Sequence, residues 1–518
     1  MKTIVRAEWS KLIFLLAVLL GIFVRFNPNL LADFPLNQGG MFAVMVEDLK
    51  ANHYRLPAFT FYNHSNIPFA YPPFGFYVGG LISDLFGLTA VEVLRWVPSI
   101  FASLSILAFY SLAAQLFESN YHTAVATLFF ALMPRAFSWF VSGAGLTRAP
   151  GQLFLLLSLA CVVRLYKENR RTDIFWAGLF AGLTIMSHPE AAVHMIASVI
   201  LLWAMLGRSR SSFAHLVGAG AVTLIVSMPW WATVIRFHGI APFLSAVQTG
   251  QKGLAVLNLI SFDFTEEVFA TLIAILGLIG LARCLIEKKY LLPIWLASPF
   301  IVEGRSAVLP AAIPLAMLAA IGLIDILLPV LAHTATPGRE GSEKVSFLES
   351  GILIYVLFYL FLSAYQFGAQ LSTSSLSPSD RDAMDWVYAH TPKDSRFLVL
   401  TGTNSISCDI VMEWFPALAD RRSIHTVQGT EWTQGANFAP YVRSTYAAQA
   451  CLTEGDVKCL DEALSRSAYD YLYVSKIPRL DCKTIPYKNA FHYFLESLAS
   501  ANEFRKVYES DGVIIFDK

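Results

Sequence analysis

Long apolar runs separated by short polar breaks fill the first 370 positions, and several of them approach the roughly 20 residues that a bilayer core requires of a helix. Such runs are centred on 11–31, 92–116, 121–140, 150–166, 173–187, 190–206, 212–234, 266–284, 290–303, 306–330 and 349–370. They predict about eleven spanning helices. Between the first two lies a long stretch, 32–90, with two semi-apolar pieces, 40–53 and 72–87, that read as interfacial helices. That choice is tied to charge, because Lys- and Arg-rich loops stay cytoplasmic. With 72–87 at the surface, Lys167, Arg170 and Arg171 share one side with Arg208 and Arg210, with Arg283, Lys288 and Lys289, and with Arg339 and Lys344. The N-terminus is then cytoplasmic, and the loop 32–90 and the C-terminal tail are extracytoplasmic. The basic start, Lys2, Arg6 and Lys11, is followed by no small-residue cleavage site and reads as the flank of a retained span.

The pattern changes after Gln370. A Ser-rich linker, 372–379, leads into a helix whose cap is Ser377-Pro378-Ser379-Asp380. Further on, Arg396–Leu400, Tyr471–Val474 and Val513–Phe516 read as short strands, the last preceded by the turn Asp511-Gly512. The expected architecture is an all-α polytopic membrane domain, 1–370, followed by a soluble α/β domain, 371–518. Composition agrees with a chain that uses lipid as solvent: 55% of 518 residues are hydrophobic, 15% are charged and mean hydropathy is +0.53. A formal net charge of zero and the lack of a basic stripe exclude nucleic acid as a partner. Cys408, Cys451, Cys459 and Cys482 fall in the tail, where an oxidising compartment would allow two disulfides; 451 with 459 and 408 with 482 is one of three connectivities.

With this topology, ionisable residues gather at the extracytoplasmic ends of the spans, where an unpaired charge near lipid requires a reason. The first loop carries Asp33, Asn37, Gly39-Gly40, Glu47, Asp48, His64 and an aromatic run from Tyr71 beside Pro72-Pro73. Ser187-His188-Pro189-Glu190 occupies a tight turn between two spans; it could share a metal or a proton, or could simply start a helix with Pro189 and Glu190. Arg148 and Arg305 sit in other such turns, against the positive-inside bias, and a guanidinium fork suits a lipid phosphate or a headgroup. In the tail, Glu413-Trp414 and Glu431-Trp432 place a carboxylate beside an indole, which serves a sugar site or an ordinary core equally.

Taken together, one span, a long loop with two juxtamembrane helices, the stretch Asn37-Gln38-Gly39-Gly40 through Asp48, then Tyr71-Pro-Pro-Phe-Gly-Phe-Tyr77, Leu85-Phe-Gly87 and Arg95, further spans and a soluble tail resemble the GT-C superfamily of membrane glycosyltransferases. That superfamily includes protein O-mannosyltransferases and lipid A aminoarabinose transferases. The resemblance implies transfer of a sugar from a polyprenyl-phosphate carrier to a glycan, lipid or protein acceptor outside the cytoplasm, with inversion. It implies a carboxylate base among Asp33, Glu47 and Asp48, and substrate contacts at Asn37, His64, Tyr71, Arg148 and Arg305. His188 and Glu190 would hold an optional divalent metal ion. The chain departs from the family where an acidic pair is usual, since Asn37-Gln38 stands there and an amide cannot act as a base. Two alternatives follow: a non-catalytic glycolipid-binding protein of envelope assembly, or a transporter or flippase of lipid-linked saccharide.

Overall fold

The computed structural model describes residues 2–248, 255–262, 264–335, 343–406, 409–464, 468–476, 479–480, 483–484, 488–501 and 503–518. Among the described residues, seven helices are long and apolar enough to cross a membrane: Glu8–Leu31, Ala90–Leu116, Gly145–Glu168, Pro189–Leu206, Arg210–His238, Val308–Leu331 and Leu348–Ser374. The other four segments expected to span form helices of 12 to 16 residues, Asn120–Leu132, Thr172–Ser187, Leu272–Ile286 and Leu291–Val302. Apolar runs mark where helices lie better than where they end. The run 121–140 illustrates this: Pro134 stops the helix at Leu132 and the chain continues as a tight 3-10 turn, Pro134–Ala136.

Inside this bundle hydrophobicity gives no preference for one helix over another, so packing relies on small residues and polar bonds. Gly280 and Gly322 let helices Leu272–Ile286 and Val308–Ile321 meet backbone to backbone; a methyl at either would strike the carbonyl of Leu318 or of Leu276. The buried Arg25 of the first helix donates to the carbonyls of Ala102 at 3.0 Å, Gly21 at 3.0 Å and Ala131 at 2.6 Å, and so ties three helices together. One turn further, Asn29 donates to Ser99 Oγ and to the Val141 carbonyl, both at 3.0 Å.

The two semi-apolar pieces of the first loop are helices Gly40–Ala51 and Phe74–Phe86. Between them, strands Phe59–Thr60 and Ile67–Pro68 pair antiparallel. Helix Arg210–His238 braces the loop, with Trp230 Nε1 donating to the Ala70 carbonyl at 3.2 Å and His238 Nε2 2.6 Å from the Ala58 carbonyl.

The tail contains a five-stranded mixed sheet in the order Arg422–Ser423, Arg396–Leu400, Tyr471–Ser475, Val513–Asp517, Arg505–Glu509. The first two pairings are parallel and the last two antiparallel. Helix Pro378–His390 begins with the Ser377 hydroxyl accepting from the Asp380 N–H at 3.1 Å, the cap its sequence foretold. Cys451 and Cys459 form a disulfide. The 408–482 pairing and Arg339 lie outside the described residues.

Candidate active site

The first loop and the tail are built into one another. Asn37 takes a left-handed conformation, φ 53°, with its N–H on the Ser374 carbonyl at 2.9 Å and its own carbonyl accepting from Trp414 Nε1 at 2.9 Å. The next residues open helix Gly40–Ala51, whose first N–H groups have no intrahelical acceptor. Glu413 supplies one. Its carboxylate, 2% exposed, accepts from the N–H groups of Gly39 at 2.9 Å, Gly40 at 2.8 Å and Met41 at 3.0 Å. Burial pushes this carboxyl above the usual range against the pull of the three N–H groups. Glycine at position 40 is required by the closeness, since a methyl there would lie 2.8 Å from the Glu413 carbonyl oxygen.

The acidic residues of the loop are engaged locally. Asp33 is exposed and paired with Arg381 of the tail. Glu47 is exposed and 3.3 Å from Lys50 Nζ. Asp48 is buried, accepting from Thr60 Oγ1 at 2.5 Å and the Phe61 N–H at 3.1 Å, so it fixes the strand that follows; burial raises its carboxyl despite those bonds. His64 Nε2 lies 2.9 Å from Asp420 of the tail.

A cavity of about 40 Å³ lies elsewhere, among helices Gly145–Glu168, Pro189–Leu206 and Val308–Ile321. Its walls include Arg148, Gln152, His188, Glu190, His194 and Ser306, and none of Asp33, Glu47 or Asp48. Arg148 stands 5.3 Å over the ring of Trp139. Arg148 Nη1, Gln152 Oε1 and His194 Nδ1 are buried and have no hydrogen-bond partner among the described residues. Buried polar atoms are nearly always paired, so three orphans around one space point to a polar occupant.

Arg305 Nε, at the rim, is 3.7 Å from Glu190 Oε1. Next to it Glu303 accepts from the N–H groups of Arg305 at 3.0 Å and Ser306 at 2.9 Å, and from Ser306 Oγ at 2.6 Å, with His194 Nε2 at 3.6 Å. Burial alone would raise Glu303, but these donors outweigh it and hold the carboxyl at about 2. His188 is driven well below its usual value by burial, then by Arg148 and Arg305, and is neutral at neutral pH. Tyr71 connects loop, cavity and tail: its ring lies 4.9 Å from Phe42, 6.3 Å from His188 and 5.9 Å from Trp432. Burial pushes its hydroxyl up to about 12.

Of the residues singled out in the sequence, Arg148, His188 and Glu190 line this cavity, Arg305 stands beside Glu190 and Tyr71 lies 6.3 Å from His188, whereas Asp33, Asn37, Glu47, Asp48 and His64 are not among its lining residues. Gln152 and Ser306 carried no signal in the sequence. The guanidinium groups of Arg148 and Arg305 match an anion such as a phosphate. A cation is less well served: His188 and Glu190 face guanidinium groups, and among the described residues no three His, Cys, Asp or Glu side chains converge as metal ligands would.

Residues 70–232 match the dolichyl-phosphate-mannose-protein mannosyltransferase family. No curated protein matches the chain by sequence. Among solved structures, ArnT from Cupriavidus metallidurans bound to undecaprenyl phosphate aligns over 98% of both chains with a TM-score of 0.57 and 15% identity. AglB, the oligosaccharyltransferase of Archaeoglobus fulgidus, in complex with an inhibitory peptide and a dolichol-phosphate, aligns over 97% of this chain and 80% of its own, with a TM-score of 0.62 and 14% identity. A complex of the Archaeoglobus enzyme with zinc and sulfate aligns with a TM-score of 0.54 and 15% identity over 89% and 68% of the two chains. The arabinofuranosyltransferase AftD from Mycobacteria matches over 98% of this chain and 40% of its own, with a TM-score of 0.57 and 14% identity. The chain is an integral membrane protein with the fold of ArnT, AglB and AftD, and over residues 70–232 it is similar to the dolichyl-phosphate-mannose-protein mannosyltransferases.

Proposed function

We propose that the protein transfers a sugar from a polyprenyl-phosphate donor to an acceptor outside the cytoplasm, with inversion at the anomeric carbon. The observation that carries this reading is the cavity in which Arg148 Nη1, Gln152 Oε1 and His194 Nδ1 stand buried and unpartnered, with Arg305 at its rim. A leaving phosphate gains negative charge as the glycosidic bond breaks, and pre-placed guanidinium groups stabilise that charge more than the ground state. Neutral His188 and the Gln152 amide supply hydrogen bonds to the donor without adding charge. ArnT and AglB, which share the fold, have been solved with undecaprenyl phosphate and a dolichol-phosphate respectively, and that supports a polyprenyl-phosphate donor here.

In this proposal residues 371–518 form an extracytoplasmic domain and the N-terminus is cytoplasmic. The disulfide of Cys451 and Cys459 agrees with an oxidising side. The basic loops around Lys167, Arg208 and Lys288 agree with a cytoplasmic side for the opposite ends.

Binding of undecaprenyl phosphate to the purified full chain tests the site. Arg148→Ala and Arg305→Ala should each weaken it at least tenfold; undiminished binding in both refutes the placement of the phosphate. A second reading, a glycolipid-binding protein without catalysis, is favoured by Asn37-Gln38, where the superfamily carries acid. It predicts binding with no donor consumed.

A further inference from the structure

Helix Pro189–Leu206 carries His194 one turn in from Glu190, where the ring is buried in the cavity wall. Its Nε2 is 3.1 Å from Ser306 Oγ and 3.6 Å from Glu303 Oε2, both in the turn between helices Leu291–Val302 and Val308–Ile321. Glu303 is ionised at neutral pH and can only accept, so the Ser306 hydroxyl, 2.6 Å away, gives it its single hydrogen. The hydroxyl oxygen then accepts from His194, and that bond requires the ring hydrogen on Nε2. In the neutral ring Nδ1 is therefore a bare acceptor, buried and without a partner among the described residues.

Around this nitrogen stand Arg148 on helix Gly145–Glu168, His188 and Glu190 at the start of its own helix, and Glu303 and Arg305 in the turn. The formal charges of the two guanidinium groups and the two carboxylates cancel, and His188 is neutral. The space, about 40 Å³, is about three times what one water needs and suits one tetrahedral phosphate group. An anion entering such a balanced, buried site favours the charged form of a neighbouring imidazole. Transfer adds to that anionic charge. A polyprenyl-phosphate sugar is a phosphodiester with one negative charge, whereas the polyprenyl phosphate left behind is a monoester with two above its second pKa of about 6.

We infer that His194 is a proton-coupled binding residue for the phosphate: Nδ1 takes one proton from solvent when the polyprenyl phosphate product occupies the cavity, and donates it in a hydrogen bond to a phosphate oxygen. The Nε2 hydrogen stays on Ser306 with Glu303 behind it, so the imidazolium lies between a carboxylate and the phosphate. The inference rests on the placement of the phosphate beside Arg148 proposed above. No bond to carbon is made or broken in this step; one proton moves from water to nitrogen. Raising the pH removes that proton and loosens the product, so His194 couples release of the carrier phosphate to pH.

The test titrates undecaprenyl phosphate into the purified full chain at about pH 8, where the free ligand is already a dianion, in two buffers of different ionisation enthalpy; the difference in heat counts the protons taken up. The wild type should take up at least about half a proton per site, and its affinity should fall at least about threefold per unit from about pH 7 to about pH 8.5. His194→Asn keeps a hydrogen-bonding amide near the place of Nδ1 but cannot titrate, and should lose the uptake and flatten the pH profile. Ser306→Ala, which leaves the ring in place and removes the hydroxyl that fixes it, should reduce both. Wild-type binding without proton uptake overturns the inference and leaves the phosphate site standing. Equal uptake by the wild type and His194→Asn overturns it too, since the proton then sits on another group. Where His194→Asn fails to fold, undiminished uptake by Ser306→Ala overturns it. If the wild type binds no undecaprenyl phosphate, the placement of the phosphate fails and this inference with it.

Discussion

Replacing Glu413 with alanine should release the start of helix Gly40–Ala51 from the tail. The N–H groups of Gly39, Gly40 and Met41 precede the first intrahelical bond, the Ala43 N–H on the Gly39 carbonyl at 2.8 Å, so the carboxylate is what shields them from exchange. Orphaning a buried donor costs about 1–3 kcal/mol, so three of them at the low end come to about 3 kcal/mol, or about a 100-fold rise in amide exchange. Hydrogen exchange read by mass spectrometry on peptides spanning 38–42 measures this. Glu413→Gln, with its carbonyl oxygen where Oε2 now accepts from Gly39 and Gly40, should lose the Met41 bond alone and give a smaller rise. Because Phe42 packs on Tyr71 at 4.9 Å, the alanine variant should also weaken undecaprenyl phosphate binding. Unchanged exchange at 38–42 in Glu413→Ala would refute the clamp.

Asp33→Asn and Glu47→Gln break exposed ion pairs away from the cavity and should leave transfer within about threefold of wild type, as a rate assay would show. The folded carboxyl of Glu303, at about 2, lies below its ordinary 4.5, so its contribution to stability is complete above pH 4.5 and is lost as pH falls from there toward 2. Thermal unfolding across that window should show a loss that Glu303→Gln lacks. A cysteine placed at exposed Ser500 should react with a membrane-impermeant maleimide in intact cells, whereas one at exposed Glu168 should not; the reverse labelling would invert the proposed topology.

Helix positions were legible because a 20-residue apolar run has few other uses, and three of the five strands of the tail's sheet appeared as β-rich runs, whereas Arg422–Ser423 and Arg505–Glu509 did not. Span lengths were less so: Pro134 shortens one helix inside an unbroken apolar run. The cavity was half legible. Arg148, His188 and Glu190 stood out as ionisable groups beside lipid, with His194 one turn further in, but Gln152 and Ser306 are ordinary residues until three helices place them around one space. Glu413-Trp414 stood out in the sequence only as a carboxylate beside an indole, with no sign of what it holds. The carboxylate of Glu413 caps N–H groups 372 to 374 positions away, a pairing that no local pattern encodes. Asp48 shows the converse, a conspicuous acid at a conspicuous place that holds Thr60 and Phe61.

The central claim is tested most directly by incubating the purified chain with radiolabelled polyprenyl-phosphate sugars and an envelope extract, alongside Arg148→Ala and Arg305→Ala. The account predicts that label leaves at least one donor in the wild type and that both variants fall at least tenfold. A wild type that binds undecaprenyl phosphate yet consumes no donor, or variants that transfer at full rate, would contradict it.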